Sequence, residues 1–419
     1  MSNVRFLDKL LDGVEVEWRP LKAVLVRTKG TKITAGQMKE LHKDGAPVKI
    51  FAGGRTVAFV NYDDIPAKDI NRQPSIIVKS RGIIEFEYYE KPFSHKNEMW
   101  SYHSNKHEIS IKYLYHFLKL NEPYFQSIGG KMQMPQIATP DTDKFPVPIP
   151  CPDNPKKSLE IQAEIVRILD AFTAMTAELT AELNLRKKQY NHYRDQLLSF
   201  AFPSSGGVPE GRGGQEVEWK TLGEVGRIVT GRTPKSSEKS AWGDEVDFVT
   251  PSDIKNGMRS ITCPSRRLSA EGAASMPKVQ IPSGSLLVTC IGADMGKTVI
   301  NANDCIPNQQ INAIILTDDN VQISYLFHVL TAMRDTLRRQ GELGGGTMPL
   351  INKSDFSKIV VPVPSLDKQA RIVAILDKFD ALTNSITEGL PREIELRQKQ
   401  YEYYRDLLLS FPKPEAAAA

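Results

Sequence analysis

A hydrophobic stripe with helical spacing runs through the middle of the chain. Its apolar and aromatic side chains recur every three or four residues, at Ile161, Ile165, Ile168, Phe172, Met175, Leu179 and Leu183, and again at Tyr190, Tyr193, Leu197 and Phe200. This spacing places them on one face of an α-helix. The pattern predicts a helix from about residue 159 to about residue 200, roughly 60 Å long at about 1.5 Å per residue.

A second stripe of the same kind lies near the end of the chain. It consists of Ile372, Ile375, Phe379, Leu382 and Ile386, followed by Tyr401, Tyr404, Leu408 and Phe411. Between these groups stands Pro391, and proline inside a helix removes one hydrogen bond and clashes with the preceding turn. We therefore expect the second helical region to kink or break near this residue.

The two helical regions share letters as well as spacing. Residues 185–200 and 396–411 are identical at twelve of sixteen positions. An amphipathic helix requires only apolar residues at the right interval, so its polar letters are free to diverge. The repeated Lys-Gln-Tyr and Tyr-Arg-Asp therefore indicate that both segments dock in the same way.

The repetition extends to the regions that precede each helix. Glu15–Trp18 recurs at Glu216–Trp219, and the proline-rich Phe145–Pro150 corresponds to Ile359–Pro364. Between these markers, turn residues separate runs typical of strands: residues 56–60, 75–79, 83–89, 284–289 and 311–315. Each half also contains one good helix, Ile111–Leu118 or Ile323–Leu330.

This pattern predicts an α+β fold with a pseudo-twofold internal repeat, in which each of two mixed α/β domains is followed by a long helix. The expected divisions are a first domain (1–158), the first long helix (159–203), a glycine-rich linker (204–214), a second domain (215–365), the second helical region (366–411) and a tail (412–419).

A smaller tandem repeat lies inside the first stripe. Thr-Ala-Glu-Leu occurs at 176–179 and again at 180–183. Four residues are close to one helical turn, so another copy would lengthen the helix by about 6 Å and rotate the rest of the helix by only about 40°. The repeat would serve to adjust length, although replication slippage in a tolerant helix would leave the same trace.

Composition excludes several classes of protein. No apolar run in the 419 residues reaches the length needed to cross a bilayer, and the amino terminus lacks a secretion signal, so we expect a cytoplasmic protein. The four cysteines form no CxxC pair and do not cluster with histidines, so no metal site is predicted. His103 and His107 lie in a segment, 101–107, that we interpret as a loop.

The charge is mildly basic. A net charge of +4 permits nucleic-acid binding without requiring it. Short basic clusters would grip phosphates if the chain binds DNA: Arg27, Lys29 and Lys32; Lys79 and Arg81; Arg232 and Lys235; Arg266 and Arg267; Arg338 and Arg339.

Motifs for bond-making chemistry are incomplete. Gly292–Thr298 resembles a phosphate-binding loop, but only three residues separate its glycines and no helix is predicted to follow. The carboxylates Asp153 and Glu160 flank the start of a helix rather than the strands that would hold catalytic metal ions. The chain also lacks the Asn-Pro-Pro-aromatic tetrad of amino-methyltransferases and a GxGxxG loop. We expect no catalytic residue and no cofactor on this chain.

Two dissimilar domains, each followed by a nearly identical helix, resemble the specificity subunit of a type I restriction-modification enzyme. The likeness covers the whole chain. Its landmarks in the second domain are Gly231–Pro234, Trp242–Gly243, Phe248–Ile254, Asn308–Gln310, Gly345–Pro349 and Pro362–Pro364. The helix sequences resemble the type IC branch. The first domain departs from the pattern, since it has Gly53-Gly-Arg55 and Gly129-Gly-Lys131 but no Gly-x-Thr-Pro.

The resemblance implies how such a chain works. Each domain would recognise one half of a split, asymmetric double-stranded DNA target. The two target-recognition domains would be separated by the two long helices, which would lie antiparallel as a coiled-coil spacer and set the gap between the halves. The repeated helix faces would bind two methyltransferase subunits, which supply S-adenosylmethionine, base flipping and adenine methylation. Restriction and translocase subunits would supply ATP-driven and Mg-dependent cleavage. An added Thr-Ala-Glu-Leu would lengthen the gap by one base pair, or two, since a base pair rises about 3.4 Å.

Site residues are predicted from these roles. Loop side chains that can contact bases or phosphates are Arg55, Trp100, Tyr102, Asn105, Lys131 and Gln133 in the first domain, and Arg232, Arg266, Lys297, Gln309 and Thr347 in the second. The expected methyltransferase-binding residues are Gln189, Tyr190, Tyr193, Arg194 and Phe200, with Gln400, Tyr401, Tyr404, Arg405 and Phe411.

Two other functions are compatible with parts of the sequence. A coiled-coil scaffold that organises proteins without touching DNA would explain the twin helices but would leave the two divergent domains without a role. A stand-alone methyltransferase would need the tetrad that the sequence lacks.

Overall fold

The computed structural model describes residues 13, 15–130, 133–200, 217–235, 237–343, 348–384 and 388–412. It divides into two compact units. The first comprises residues 1–177 together with 396–419, and the second comprises residues 178–395. Each unit therefore contains a segment of the opposite half of the sequence.

The first unit is built on antiparallel strands. Strands β2, β8, β5 and β6 form a four-stranded sheet in that order, β4, β3 and β7 form a three-stranded sheet, and β1 pairs with β9. The strands are β1 (Val16–Pro20), β2 (Val26–Thr28), β3 (Val48–Phe51), β4 (Val57–Val60), β5 (Ser75–Lys79), β6 (Glu85–Tyr89), β7 (Phe93–His95), β8 (Trp100–His103) and β9 (Pro146–Pro150). The helices are α1 (Leu21–Val24), α2 (Ala35–Leu41), α3 (Ile111–Leu120), α4 (Glu122–Gly129), α5 (Thr139–Asp143) and the beginning of α6 (Pro155–Leu198).

The second unit repeats this topology. Its sheets have the orders β11-β18-β15-β16-β13, β14-β12-β17 and β10-β19. The strands are β10 (Glu218–Thr221), β11 (Gly226–Thr230), β12 (Trp242–Val249), β13 (Ser260–Ile261), β14 (Arg266–Leu268), β15 (Leu286–Thr289), β16 (Thr298–Asn301), β17 (Cys305–Pro307), β18 (Ile311–Leu316) and β19 (Val360–Val363). The helices are the end of α6, α7 (Leu222–Val225), α8 (Ala270–Ala274), α9 (Ile323–Ala332), α10 (Arg334–Glu342), α11 (Lys353–Ser357), α12 (Leu366–Asn384) and the beginning of α13 (Gly389–Leu409), whose remainder belongs to the first unit.

The sequence markers of the repeat are paired strands. Trp18 lies opposite Pro148 in the β1–β9 ladder, and Trp219 lies opposite Pro362 in the β10–β19 ladder. In both three-stranded sheets the central strand has one antiparallel and one parallel neighbour. The strand at the edge of the five-stranded sheet, β13, has no counterpart among the described residues of the first unit. The internal repeat and the mixed α/β class are confirmed.

The long helix begins earlier than the stripe predicts. Helix α6 starts at Pro155 instead of residue 159. The Asn154 side chain accepts a hydrogen bond from the Lys157 N–H at 3.1 Å, and proline is well tolerated at the first helical position because its missing N–H is not needed there.

The second helical region is broken, as expected. Helix α12 ends at Asn384 and α13 begins at Gly389, whose φ is +74°. A Cβ on Gly389 would lie 2.4 Å from the Ala381 carbonyl oxygen, so glycine makes the turn possible. Pro391 falls in the first turn of α13, where proline costs little.

A matching set of buried polar contacts fixes each long helix to its own domain. Gln162 of α6 accepts from the Ser110 N–H at 2.8 Å, and Gln369 of α12 accepts from the Gln322 N–H at 2.9 Å. Both glutamines are fully buried and also donate to backbone carbonyls. These contacts explain why Gln-Ala recurs near the start of both helices.

A histidine and an aspartate form a second repeated contact. Nε2 of His116 lies 3.1 Å from Asp170, and Nε2 of His328 lies 2.7 Å from Asp377. Both imidazoles are buried, and burial lowers their pKa below the usual histidine value although the aspartates oppose the shift. The neutral imidazole is therefore the stable form in the folded protein.

Candidate nucleic-acid interface

Loops of the second unit converge at one end of its sheets. Backbone hydrogen bonds hold them together: Arg232 donates to the Pro307 carbonyl at 2.9 Å, Asn308 to Val249 at 2.9 Å, Cys290 to Gln310 at 2.8 Å and Gly292 to Pro349 at 3.0 Å. We call this region the second loop face; it comprises residues 231–235, 250–253, 290–297, 308–310 and 348–351.

The glycine that opens the first of these loops has no substitute. A Cβ at Gly231 would lie 2.1 Å from the Pro307 carbonyl oxygen and 2.2 Å from that of Asn308. The next residue, Arg232, is exposed and forms no ion pair with any described residue. The Thr233 hydroxyl donates to exposed Gln309 at 2.5 Å. The loop thus presents a free guanidinium beside a paired threonine and glutamine.

Arg266 lies on the neighbouring strand. Arg266 belongs to β14 and pairs with Phe248 of β12, one residue before the end of β12. Its guanidinium lies 3.5 Å from the centroid of the Trp242 ring, and the side chain is exposed. Stacking on the indole holds this cation in place without neutralising its charge.

Lys297 is engaged within the chain. Its ammonium donates to the Ile254 carbonyl at 3.0 Å and pairs with Asp294 at 2.7 Å, and the side chain is only 12% exposed. This lysine ties the 290–297 loop to the turn after β12, and its contact with DNA stays a prediction. Thr347 lies outside the described residues.

The first unit contains an equivalent arrangement. Thr31 donates to the His95 carbonyl at 2.8 Å, Lys96 to Phe51 at 2.9 Å and Gly82 to Pro135 at 2.9 Å. These bonds match those of Arg232, Asn308 and Gly292 in the second unit, one for one. We call residues 29–32, 52–56, 80–82, 95–98 and 133–137 the first loop face.

Two of the predicted residues lie on the first loop face. Arg55 stands in the turn between β3 and β4, and Gln133 precedes the strand-like bridge between Arg81 and Gln136. Both Arg55 and Gln133 are exposed. Lys131, the next candidate, lies outside the described residues.

The three other candidates in the first unit are misplaced. Trp100 and Tyr102 lie in β8, an inner strand of the sheet, where we had interpreted residues 101–107 as a loop. Both are buried, and both bond the Thr142 hydroxyl, at 3.0 and 2.7 Å. Asn105 is exposed, but it follows the end of β8 that lies away from the first loop face. At that end His103 pairs with Val26, the first residue of β2, whereas the loop face begins after Thr28, the last residue of β2.

The basic clusters divide in the same way. Several of their members are occupied by carboxylates: Lys79 by Glu85 and Glu87, Arg267 by Asp247, Arg338 by Glu342 and Arg27 by Asp143. By contrast, Lys29, Lys32, Arg81 and Lys235 form no ion pair with a described residue, and all four belong to the loop faces. Arg339, in α10, also forms no ion pair with a described residue, so the loop faces hold most of the unpaired members of these clusters but not all of them.

The carboxylates of the loop faces are satisfied internally. Glu98 pairs with Lys96 at 2.7 Å. Asp253 is partly buried, which raises its pKa, but hydrogen bonds from Thr250 and Ser265 outweigh burial and hold the pKa below its usual value. The excess charge of each face comes from its arginines and lysines, which suits a polyanion.

The repeated helix ends pack inside the chain. Tyr190 belongs to the core of the second unit, and partly buried Phe200 packs against that core; Phe411 belongs to the core of the first unit, with Tyr401 half-buried beside it. The rings of Tyr190, Phe200 and Phe411 therefore contact the chain itself, and their binding to a partner stays a prediction. These residues recur at equivalent positions of the two helices because the two domain cores are alike.

The remaining repeated residues stay at the surface. Tyr193 stacks on Phe379 with ring centroids 5.5 Å apart, and Tyr404 stacks on Phe172 at 5.2 Å, yet the two tyrosines are 43% and 37% exposed. Arg194 and Arg405 each pair with the next residue, an aspartate, at 2.7 Å. Gln400 is exposed, and Gln189, which accepts from Arg186 at 2.9 Å, is half-exposed. We call Gln189, Tyr193 and Arg194, with Gln400, Tyr404 and Arg405, the repeated helix surface.

Neither a clustered metal site nor a membrane-spanning helix is found among the described residues. Within these ranges no group of three or more histidine, cysteine, aspartate or glutamate side chains could hold a metal ion. Across the same ranges, no helix combines the length and the apolar character that crossing a membrane requires.

Comparison with known proteins places the chain in a family. Residues 31–186 and 215–396 both match the model of the type I restriction modification DNA specificity domain. The EcoR124I/EcoR124II specificity subunit of Escherichia coli is 40% identical over the full length of both chains. A putative type I restriction enzyme specificity subunit of Haemophilus influenzae is 30% identical and covers 98% of this chain and 99% of its own.

Solved structures agree on the fold. The crystal structure of the type I specificity subunit from M. genitalium superposes with a TM-score of 0.61 at 14% identity, covering 96% of this chain and 98% of that one. A chain from the assembled type I restriction-modification system gives a TM-score of 0.54 at 17% identity, with 94% and 97% covered. With two family domains and full-length relatives, this chain belongs to the family of type I restriction-modification specificity subunits.

Proposed function

We propose that the chain recognises a bipartite, asymmetric DNA target through its two loop faces, one half-site for each. The observation that carries the proposal is a shared frame with different side chains. Matching backbone hydrogen bonds assemble both faces, whereas the exposed cations differ in position: Arg55 and Arg81 lie in the first face, and Arg232 and Lys235 lie in the second. Two recognition domains that share a fold but differ in their exposed side chains are able to bind two half-sites of different sequence.

The repeated helix surface suggests the partners. Two copies of a methyltransferase subunit would bind the two copies of this surface, because a repeated patch supports two equivalent interfaces. Restriction and translocase subunits would join that complex. The chain itself would be non-catalytic, with S-adenosylmethionine, ATP and Mg bound by the partners.

The test of DNA recognition uses charge removal on the loop faces. Arg55→Ala and Arg232→Ala should each weaken binding of the target by the complex with its methyltransferase partner. A lost base contact costs about 1–3 kcal/mol and relaxes one position, whereas a lost phosphate contact weakens all sequences alike and lowers the salt slope by about one. Titrations with target and unrelated duplexes at several salt concentrations separate these cases.

The matched control is Lys22→Ala. Lys22 is exposed and carries the same charge, but it lies in α1, away from the first loop face. The carbonyl of the next residue, Ala23, accepts a hydrogen bond from Lys106, which follows the end of β8 that points away from this face. It should bind DNA as the wild type does. If the loop-face variants and the control behave alike, or if the wild-type complex binds no duplex, the chain is a protein scaffold instead.

Docking of the methyltransferase is tested on the tyrosines. Tyr193→Ala and Tyr404→Ala should each remove one partner copy, and the double variant should remove both, as measured by native mass spectrometry. Met175→Ala, at a similarly exposed position of α6, is the control. Unchanged stoichiometry in the double variant would refute this docking surface.

We also propose that helix length sets the gap between the half-sites. Both Thr-Ala-Glu-Leu copies lie inside the continuous helix α6, which ends 15 residues after the second copy. A third copy should therefore extend the helix without breaking it and lengthen the gap by one base pair, or two. Mapping of methylated adenines gives the gap directly, and an unchanged gap would rule out the proposal.

A further inference from the structure

Both loop faces expose a methionine at the same place. Met134 and Met348 each precede the proline whose carbonyl accepts from a glycine of the neighbouring loop, Gly82 or Gly292. They are 53% and 57% exposed. Methionine is usually buried, and the other residues that the two loop faces share, such as the glycines and Ile137 and Ile351, serve the backbone or the core. An exposed methionine at the same place on both faces therefore points to a contact outside the chain.

The surroundings of these methionines are polar. The Arg81 Nε–H points at the Met134 sulfur from 3.1 Å, and exposed Gln133 and Gln136 flank it. In the second unit, Met348 and half-exposed Leu350 border an open cavity of about 600 Å³ that Gln340, Asp355 and Lys358 also line, and the Lys358 ammonium pairs with Asp355 at 3.5 Å. Each face therefore has a small apolar tip beside hydrogen-bonding groups, and in the first unit a cation, Arg81, lies next to it.

Duplex DNA matches this arrangement better than a protein surface does. Its phosphates can meet the cations, and in the major groove between the phosphate rows lie apolar thymine methyl groups. The faces of the bases become accessible where a base step is partly unstacked. Methionine is one of the side chains that proteins press against base steps. Its flexible thioether also adapts to different bases, which suits two half-sites of different sequence.

We propose that Met134 and Met348 make the apolar base contacts of the two recognition domains, one in each half-site. This inference rests on the proposed function of the loop faces. The contact adds to recognition of the target but does not contribute to the phosphate contacts, because a thioether carries no charge.

The test replaces each methionine in the full chain, assembled with its methyltransferase partner on the target defined by its methylated adenines. Met134→Ala should weaken target binding roughly 5- to 150-fold, the range for one recognised base pair. It should relax base preference at positions of one half-site, and Met348→Ala should do so in the other half-site. Met134→Leu and Met348→Leu keep the apolar tip and should retain most of the affinity.

Binding to unrelated DNA separates this inference from the proposed function. On an unrelated duplex, the two methionine-to-alanine variants should keep the wild-type affinity and salt slope. At least one of Arg55→Ala and Arg232→Ala should instead lower that affinity or that slope. Met175→Ala, which removes a methionine 41% exposed on α6, should leave target recognition unchanged.

Three results would overturn the inference while leaving the loop faces as the DNA-binding surface. The alanine variants could bind the target as the wild type does, could lose target and unrelated DNA equally, or could both relax the same half-site. A wild-type complex that does not distinguish target from unrelated DNA would instead refute the proposed function itself. Circular dichroism melting of each variant confirms that the exposed substitutions leave the fold intact.

Discussion

Leu408→Ala should destabilise a domain that lies more than 200 residues earlier in the sequence. Leu408 is fully buried, and it belongs to the core of the first unit with Leu409, Ile165 and Tyr113. Leucine-to-alanine changes at buried positions in other proteins cost about 2.7–5.0 kcal/mol, because the transfer energy is lost and a cavity remains. Since single domains are stable by about 5–15 kcal/mol, this loss would be a large fraction of the total.

Hydrogen exchange followed by mass spectrometry locates the effect. In Leu408→Ala, protection should fall in residues 111–120 and 161–169 as well as in α13 after residue 396, and residues 217–384 should stay as protected as in the wild type. Tyr403→Ala is the control, because Tyr403 lies in the same helix but is 48% exposed, and surface changes usually stay within about 0.5 kcal/mol. Loss of protection confined to residues 217–384, or equal in both units, would refute the assignment of this segment to the first core.

Three further predictions concern single contacts. Gln369→Leu should lower the unfolding free energy by about 1–3 kcal/mol for each buried group left without a partner, whereas the exposed Arg371→Ala should change it little; chemical denaturation measures both. Gly231→Ala should distort the second loop face, since its Cβ would lie 2.1 Å from the Pro307 carbonyl, and should weaken target binding, while normal affinity would show that the loop tolerates the shift. His328→Gln should reduce the loss of stability that the wild type shows as the pH is lowered below 6.5. Because the pKa of His328 is lower in the folded protein, the unfolded chain takes up the proton first, and the unfolding free energy decreases by up to about 1.4 kcal/mol for each pH unit of acidification. An equal slope in His328→Gln, measured by denaturation between pH 5 and 8, would contradict this origin.

The site was predicted less well than the fold, and particular residues show why. Arg55, Gln133, Arg232, Arg266 and Gln309 are exposed on the loop faces or beside them, as turn-rich sequence suggested. Trp100 and Tyr102 look like base-stacking residues only if their segment is a loop. A four-residue strand with two polar positions carries too weak an alternation to be distinguished from a loop.

The ion pair of Lys297 could not be predicted from the sequence for a different reason. Whether a lysine in a loop is free or paired depends on which backbone carbonyls and carboxylates approach it, and these come from Ile254, 43 residues away, as well as from Asp294. Conversely, the unpaired state of Arg81 and Lys32 could not be read from their clusters, since neighbouring Lys79 is bound by two glutamates of β6.

The sequence by itself determined the repeat, the helical stripes and the approximate place of the break, because periodicity and repeated residues act locally along the chain. The turn itself falls at Gly389, and Pro391 lies within α13. Only the tertiary structure decided what the repeated letters are for. It placed Tyr190 and Phe200 in one core and Leu408 and Phe411 in the other, and left Tyr193 and Tyr404 at the surface. One helical stripe can pack against any apolar surface of the right width, so the choice of core depends on contacts between residues far apart in sequence.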